Sequence, residues 1–235
     1  MRASFPFLER RALRPLAVAH RDAWAKAAPF PHVVLDDWLP EGLAVAAAEA
    51  FPSAEFPGWK RREYAEQRRL GGLQRKAFEG VAPVLRHLMN ELNGMVFVDF
   101  LERLSGQRGL IGDPFFRGAG LHATEPGGHL ALHADFDRDR FRGLARRMTA
   151  LVYLTPRWEA AWGGELELWD AGRTDCVRAI APRLGRLVVM AHGDDHWHGH
   201  PKPLASPPGV LRQSVAAYYY VADGQPGAEG HGAIW

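Results

Sequence analysis

The sequence predicts a mainly β protein with helices on its N-terminal side, arranged as a double-stranded β-helix, or jelly-roll, barrel. From about residue 110 the chain divides into short segments rich in β-branched and aromatic residues. Gly and Pro clusters such as Pro126-Gly127-Gly128 and Pro207-Pro208-Gly209 separate these segments. Helical patterns precede residue 110, and there is no internal repeat. Many short strands behind a helical support are typical of a jelly-roll barrel.

Eight strands are predicted from the runs between turn signals. They are Leu121–Thr124, Leu130–Asp135, Thr149–Leu154, Glu165–Trp169, Val177–Ile180, Leu187–Ala191, His196–His200 and Ser214–Val221.

Helices and one further strand are expected in the first half of the chain. A short helix is expected around Leu13–Ala27, a strand over Phe30–Asp37, and a helix from Pro40 to about Phe51. The clearest helix covers Pro83–Leu104, with a kink at Asn93-Gly94 and a stop at Gly106. We therefore expect one domain over residues 1–235, with mainly helical support in 1–109, the jelly-roll core in 110–222 and a loosely held tail in 223–235.

Composition excludes several classes of protein. The 235 residues carry a net charge of +2, and the slight excess of arginine is too small to indicate a nucleic-acid partner. No apolar run is long enough for a membrane span, and no secretory signal is evident. The single cysteine, Cys176, excludes an internal disulfide framework and favours a cytoplasmic location.

The motif His133-Ala134-Asp135 is the first candidate for chemistry. Residues two apart on a strand share one face, so His133 and Asp135 would both point into the barrel. An isolated pair of this kind often occurs by chance, and a metal site needs a third ligand from elsewhere in the chain.

The third ligand is expected from the segment that contains His196, His198 and His200. Strand periodicity alone does not choose among them. We predict His198, which lies fourteen residues before Arg212, and His200 is the main alternative.

Two histidines and one carboxylate would leave coordination positions open, which suits an Fe(II) oxygenase that also binds 2-oxoglutarate and O2. The far carboxylate of 2-oxoglutarate needs a permanent cation, and the guanidinium of Arg212 supplies one in a bidentate form. Ser214 lies on the same strand face, and Tyr153 is a candidate third donor, although an ordinary strand tyrosine is the alternative. We also predict that His122 belongs to the cofactor-binding residues. The alternative for both His122 and His129 is an ordinary polar residue at the mouth of the barrel.

Several blocks of sequence, taken in order, resemble the Fe(II)/2-oxoglutarate-dependent dioxygenase superfamily, specifically its bacterial prolyl 4-hydroxylase-like branch. The blocks include Gly120-Leu121-His122, Pro126-Gly127-Gly128-His129-Leu130, His133-Ala134-Asp135-Phe136, Val152-Tyr153-Leu154, Trp162-Gly163-Gly164-Glu165, Trp197-His198-Gly199-His200-Pro201 and Arg212-Gln213-Ser214.

The resemblance implies the jelly-roll fold and hydroxylation as the usual outcome. It also implies the metal ligands His133, Asp135 and His198, the keto-acid arginine Arg212 and the strand tyrosine Tyr153. Asp135 is present where related halogenases have a small residue, which favours hydroxylation. Asp137 stands where relatives often have Asn.

The sequence says less about the substrate, for which we expect a small molecule or peptide. The Arg-rich segments Trp59–Arg75 and Arg138–Arg147, the latter with Trp158 and Trp162 nearby, suggest a substrate with an anionic group. The alternative for both segments is a solvated loop or helix. A second reading of the whole chain is a cupin-like metal barrel, an isomerase or a ligand-binding protein that does not use 2-oxoglutarate.

Overall fold

A computed structural model describes residues 7–73, 75–223 and 229–235 of the protein. Within these residues there are four α-helices and two short 3-10 helices, the latter at Arg75–Gly80 and Ala160–Trp162. The α-helices are α1 (Arg10–Lys26), α2 (Glu41–Glu49), α3 (Pro83–Asn93) and α4 (Met95–Ser105).

The predicted helix over Pro83–Leu104 is in fact two helices. Gly94 has an extended backbone, with φ −77° and ψ 159°, and therefore separates α3 from α4 completely where the sequence predicted only a kink. Gly106 ends α4 with φ 77°, a left-handed conformation that glycine adopts without strain, as expected.

The β-strands form one strongly curled antiparallel sheet, and the predicted jelly-roll class is confirmed. The strands are β1 (His32–Leu35), β2 (Trp59–Tyr64), β3 (Gln67–Leu73), β4 (Ile111–Gly112), β5 (Gly120–Thr124), β6 (His129–His133), β7 (Arg138–Asp139), β8 (Leu144–Tyr153), β9 (Leu166–Trp169), β10 (Cys176–Ile180), β11 (Leu187–Ala191), β12 (His198–His200) and β13 (Arg212–Val221). Along the sheet their order is β1-β11-β8-β13-β5-β3-β6-β12-β9-β10, and β2, β4 and β7 pair at its sides. Sequence neighbours are rarely sheet neighbours, so residues distant along the chain meet inside the curl.

The helices cover the outer face of the sheet and bury its apolar side chains. The Tyr219 hydroxyl donates to the carbonyl of Leu92 at 2.7 Å, which ties β13 to α3. The ring of Phe97 on α4 lies 5.9 Å from that of Tyr219. Because one face of β13 is fixed by the helices, its other face, with Arg212 and Ser214, is presented to the interior.

The Arg-rich segment from Trp59 is a β-hairpin, and the expectation of a solvated loop is wrong there. Strand β3 pairs with both β5 and β6, so the hairpin is part of the sheet. Both faces of its tip are polar, so the alternation of apolar and polar residues that predicts a strand is absent there. The side chain of Arg75 lies outside the described residues.

The strand boundaries differ from the prediction at two places that affect the site. Strand β6 ends at His133, so Asp135 follows the strand instead of lying within it. Strand β12 begins at His198, and His196 precedes it with its ring stacked on Phe30 at 4.4 Å.

Part of the C-terminal segment is held in place, contrary to the prediction of a loose tail. Ala134 and Ile234 exchange two backbone hydrogen bonds of 2.9 Å each. The backbone N–H of His231 donates to Asp137 at 2.8 Å, so Asp137 anchors this segment. Residues 224–228 lie outside the described part of the chain.

Candidate active site

Three side chains converge at one end of the curled sheet. Ligand atoms of His133, Asp135 and His198 lie within 4.8 Å of one another, a spacing at which they could hold a metal ion. The two imidazole Nε2 atoms lie 3.6 Å from the two different carboxylate oxygens of Asp135. Two imidazoles and one carboxylate are the donor set of the facial triad that binds Fe(II).

Hydrogen bonds hold both imidazoles in the form that binds metal. Nδ1 of His133 lies 3.0 Å from the carbonyl of Ala131, and Nδ1 of His198 lies 2.9 Å from that of His196. A carbonyl only accepts, so each Nδ1 is the protonated nitrogen and each Nε2 keeps its lone pair. Burial and the nearby His133 lower the pKa of His198 to about 4, which keeps this ring neutral at pH 7.

Strand pairing brings the two histidines together. His198 on β12 is the direct partner of His133 on β6, and their ring centroids lie 4.5 Å apart. Between His198 and His200, Gly199 crosses the partner strand so closely that a Cβ would lie 2.6 Å from the carbonyl oxygen of Ala131. Only glycine allows that approach without a backbone shift.

Arg146 contacts the carboxylate of this cluster, a role that the sequence interpretation missed. Its guanidinium is fully buried and donates to Asp135 Oδ2 at 2.6 Å and to Thr149 Oγ1 at 2.8 Å. Burial alone would raise the pKa of Asp135, but Arg146 and the two imidazoles hold it well below its ordinary value. The sequence does contain one indication of this role, because Arg146 lies just before the apolar run Met148–Leu154. The sequence interpretation instead counted Arg146 with the Arg-rich segment assigned to the substrate.

A narrow inner cavity of about 80 Å³ extends from the three ligands toward Arg212. Its lining includes His122, Thr124, His200, Arg212 and Ser214. The guanidinium of Arg212 is buried, and its Nε donates to the carbonyl of Gly164 at 2.7 Å. Arg212 forms no ion pair with a carboxylate within the described part of the chain, so a buried cation faces this cavity without a counter-ion.

Of the other predicted cofactor residues, Tyr153 contacts Arg212, while Ser214 and His122 line the inner cavity with it. The Tyr153 hydroxyl accepts from Arg212 Nη2 at 3.2 Å, and Ser214 is the strand partner of both Tyr153 and His122. His122 accepts at Nδ1 from Arg69 Nη1 at 2.9 Å, while its Nε2 lies 3.0 Å from the carbonyl of Gly118. Burial, together with the Arg69 charge, lowers the pKa of His122 to about 3.

His200, the alternative third ligand, is placed in the inner cavity and outside the three-residue cluster. It is buried, and its Nδ1 has no hydrogen-bond partner among the described residues. Burial followed by the charge of Arg212 holds the pKa of His200 well below its ordinary value. His129, on the approach to the pair, bonds the carbonyl of Ala65 at 3.1 Å and so joins β6 to the hairpin.

A larger outer cavity of about 390 Å³ opens on the other side of the cluster. Both cavities are lined by His133 and Asp135, so the candidate metal position lies between them. Phe136, Tyr218 and Trp235 supply aromatic walls, and the ring of Trp235 lies 5.3 Å from that of His133.

Most arginines of the segment 138–147 bond to other residues of the protein. The segment therefore does not present a row of free cations to the outer cavity. Arg138 pairs with Asp223, and Arg142 pairs with Asp139 at 2.6 Å and Asp113 at 2.9 Å. Arg140 donates to the carbonyl of Gly230 at 2.5 Å. Trp158 and Trp162, also expected near the substrate, contact each other edge to face at 5.4 Å, with Trp158 beside Gly164 on the Arg212 side.

The sequence over residues 119–220 matches the model of the 2OG-Fe(II) oxygenase superfamily. The matched span contains every residue of the metal cluster and Arg212. Residues 119–220 form a 2-oxoglutarate/Fe(II) oxygenase domain. Its cofactors are Fe(II) and 2-oxoglutarate, and the predicted membership of this superfamily is confirmed over the matched span. No curated protein sequence matches the chain significantly.

Solved structures of such enzymes share the fold of this oxygenase domain. A Pseudomonas putida prolyl-4-hydroxylase aligns with a TM-score of 0.60 at 19% identity, covering 88% of this chain and 100% of that one. A Trichoplax adhaerens prolyl hydroxylase, solved with a peptide fragment of hypoxia inducible factor, aligns with a TM-score of 0.62 at 15% identity, covering 89% and 91%. HygX from Streptomyces hygroscopicus, with nickel, 2-oxoglutarate and hygromycin B bound, aligns with a TM-score of 0.50 at 13% identity, covering 82% and 83%.

Proposed function

We propose that this oxygenase domain hydroxylates an unactivated C–H bond of an amino acid, a peptide or a natural-product intermediate. In the balanced reaction, the substrate, O2 and 2-oxoglutarate give the hydroxylated product, succinate and CO2. His133, Asp135 and His198 hold Fe(II), and Arg212 binds the far carboxylate of 2-oxoglutarate. When bound, the metal and the keto acid supply the oxidising power by activating O2.

The observation that carries this proposal is the uncompensated Arg212 at the end of the inner cavity. Burying a guanidinium without a counter-ion is costly, and a bidentate carboxylate would remove that cost. The Gly164 carbonyl and the Tyr153 hydroxyl fix the orientation of the guanidinium, so one carboxylate can be bound in one position. Ser214 adds a hydroxyl donor to the same cavity.

The three ligands sit where the inner cavity meets the outer one. A keto acid anchored at Arg212 would reach the metal from the inner side, and a substrate would reach it from the outer side. The carbonyl bonds of His133 and His198 keep both Nε2 lone pairs directed to the metal. The aromatic walls of the outer cavity would shield the reacting bond from water.

The proposed substrate is a peptide or a small molecule. One similar structure holds a peptide and another holds hygromycin B, so the fold accommodates both.

None of the helices in the described part of the chain is long and apolar enough to cross a membrane. Cys176 is an exposed free thiol, and a cytoplasmic location stays a prediction from the composition.

Anaerobic addition of Fe(II) and 2-oxoglutarate tests the proposal. A keto acid chelated to ferrous iron is expected to produce a visible charge-transfer band, followed by succinate formation when O2 is admitted. Arg212→Gln should bind 2-oxoglutarate at least about tenfold more weakly, because it loses a charge-assisted bond. Absence of the band, with Arg212→Gln behaving as the parent, would favour the cupin-like barrel that does not use 2-oxoglutarate.

A further inference from the structure

The outer cavity carries an excess of positive charge that the described residues neutralise only in part, since Arg117 pairs with Asp139 at 3.5 Å and the other cations lack such a partner among them. Its lining contains Lys60, Arg62, Arg69 and Arg117 but one carboxylate, that of Asp135. Asp135 already contacts Arg146 and belongs to the metal cluster. The balance therefore favours a bound anion.

Arg62 and Arg69 are placed side by side by the hairpin. They are direct cross-strand partners on β2 and β3, and both line the outer cavity. Like charges directly opposite each other destabilise a sheet. Neither side chain forms an ion pair with a carboxylate of the described residues that would offset this repulsion by direct contact.

The partners of Arg69 are neutral. Its Nε donates to Gln67 Oε1 at 2.9 Å, and its Nη1 donates to Nδ1 of His122, also at 2.9 Å. These bonds orient the guanidinium without removing its charge. Arg62 has a buried Nε that lacks a hydrogen-bond partner among the described residues. Burial, together with the nearby charge of Arg62, lowers the pKa of Arg69.

The neighbouring arginine of the same strand has a different environment. Arg68 lies on the opposite face of β3, is more than half exposed at 56%, and lies 3.4 Å from Glu63. Arg61, which pairs with Glu125 at 2.9 Å, is also more than half exposed at 58%. The hairpin therefore turns Arg61 and Arg68 outward and places Arg62 and Arg69 at the outer cavity.

We propose that Arg62 and Arg69 bind an anionic group of the substrate, a carboxylate or a phosphate, with Lys60 at the wider rim. The aromatic side chains Phe136, Tyr218 and Trp235 then contact an apolar body next to that group. This inference rests on the proposed function, since it takes the outer cavity as the substrate side. Of the two Arg-rich segments that the sequence suggested for anionic recognition, it assigns this role to the hairpin and not to the segment 138–147.

Calorimetric titration of three probes tests the inference. Phenyl phosphate, phenylacetate and neutral benzyl alcohol are titrated into protein loaded with Ni(II), which does not turn over, with and without saturating 2-oxoglutarate. At least one anion is expected to bind about tenfold more tightly than benzyl alcohol. Tighter binding of phenyl phosphate assigns a phosphate, and tighter binding of phenylacetate assigns a carboxylate.

Variants locate the anion. Arg62→Gln and Arg69→Gln should each weaken the anion about tenfold, and Arg68→Gln should leave its affinity unchanged. Arg62 lines only the outer cavity, so Arg62→Gln should also leave 2-oxoglutarate binding unchanged.

Three results would overturn the inference: benzyl alcohol binding as tightly as both anions, neither anion binding, or an anion affinity that is unaffected by Arg62→Gln. A failure of the proposed function is distinguished by a separate measurement. In that case the Ni(II)-loaded protein would not bind 2-oxoglutarate, or its binding would not depend on Arg212.

Discussion

Nη2 of Arg146 lies 2.6 Å from Oδ2 of Asp135, and this pair joins β8 to the segment that follows β6. Arg146 is fully buried, and the rings of Tyr218 and Phe136 lie 3.6 and 4.5 Å from its guanidinium carbon. The metal-binding carboxylate proposed here is therefore positioned by a cation that has no access to solvent.

Arg146→Met should destabilise the metal-free protein by about 3–5 kcal/mol, because it leaves Asp135 buried without its cation. A divalent metal would then take over part of that neutralisation. Addition of Mn(II) should therefore raise the melting temperature of Arg146→Met by more than it raises that of the parent, as measured by thermal unfolding.

Arg142→Met is the matched control for this prediction. Arg142 also pairs with largely buried carboxylates, Asp113 and Asp139, but neither belongs to the metal cluster. It should lose stability without gaining extra stabilisation from Mn(II). An equal metal-induced shift in Arg146→Met and the parent would contradict the proposed contact.

Substitutions of the two histidines of β12 should affect metal binding and 2-oxoglutarate binding differently. His198→Ala removes an Nε2 that faces Asp135, so Mn(II) binding followed by electron paramagnetic resonance should be largely lost. His200→Ala should retain Mn(II) and alter the affinity for 2-oxoglutarate, because His200 lines the inner cavity with Arg212. The reverse pattern would make His200 the third ligand.

Tyr153→Phe should weaken 2-oxoglutarate binding by a few fold, since it removes one hydrogen bond, worth about 1 kcal/mol, that orients Arg212. Anaerobic titration of the charge-transfer band measures this affinity. Tyr219→Phe is the control, because its hydroxyl bonds Leu92 on the helical side and should affect stability alone. Equal effects of the two substitutions on 2-oxoglutarate affinity would refute the orienting role.

Gly199→Ala should push β12 away from β6, because the added Cβ would lie 2.6 Å from the Ala131 carbonyl. Overpacking of this kind costs about 1–3 kcal/mol, and here it also displaces His198 from His133. Calorimetry should show weaker Mn(II) binding by a protein that still folds cooperatively. Gly172→Ala, in an open turn, should leave both the affinity and the stability unchanged.

Trp235→Ala should open the outer cavity beside His133 and admit water to the metal. The expected results are faster succinate formation in the absence of substrate and faster hydrogen exchange at the Ala134 amide, which bonds Ile234 at 2.9 Å. Met95→Ala, at an exposed position on α4, serves as the control. Unchanged exchange at Ala134 would show that the Trp235 side chain does not hold this segment.

The sequence by itself determined the class of fold and the types of residue in the site. Gly and Pro turns between short apolar runs predict a jelly-roll, and a His-x-Asp motif, a later histidine and a late arginine predict an iron and keto-acid site. These signals are local, because strand periodicity and turn chemistry depend on residues a few positions apart. The hairpin at Trp59–Leu73 was not predicted from these local signals, because its tip is polar on both faces.

Only the tertiary structure decided which of these side chains meet. The pairing of β12 with β6 places His198 opposite His133 and His200 beside Arg212. The curl of the sheet brings Arg146 to Asp135, Arg62 and Arg69 to the outer cavity, and Trp235 to His133. Each of these contacts depends on strand register and on the crossovers between strands, and neither is encoded in the local pattern of the residues involved.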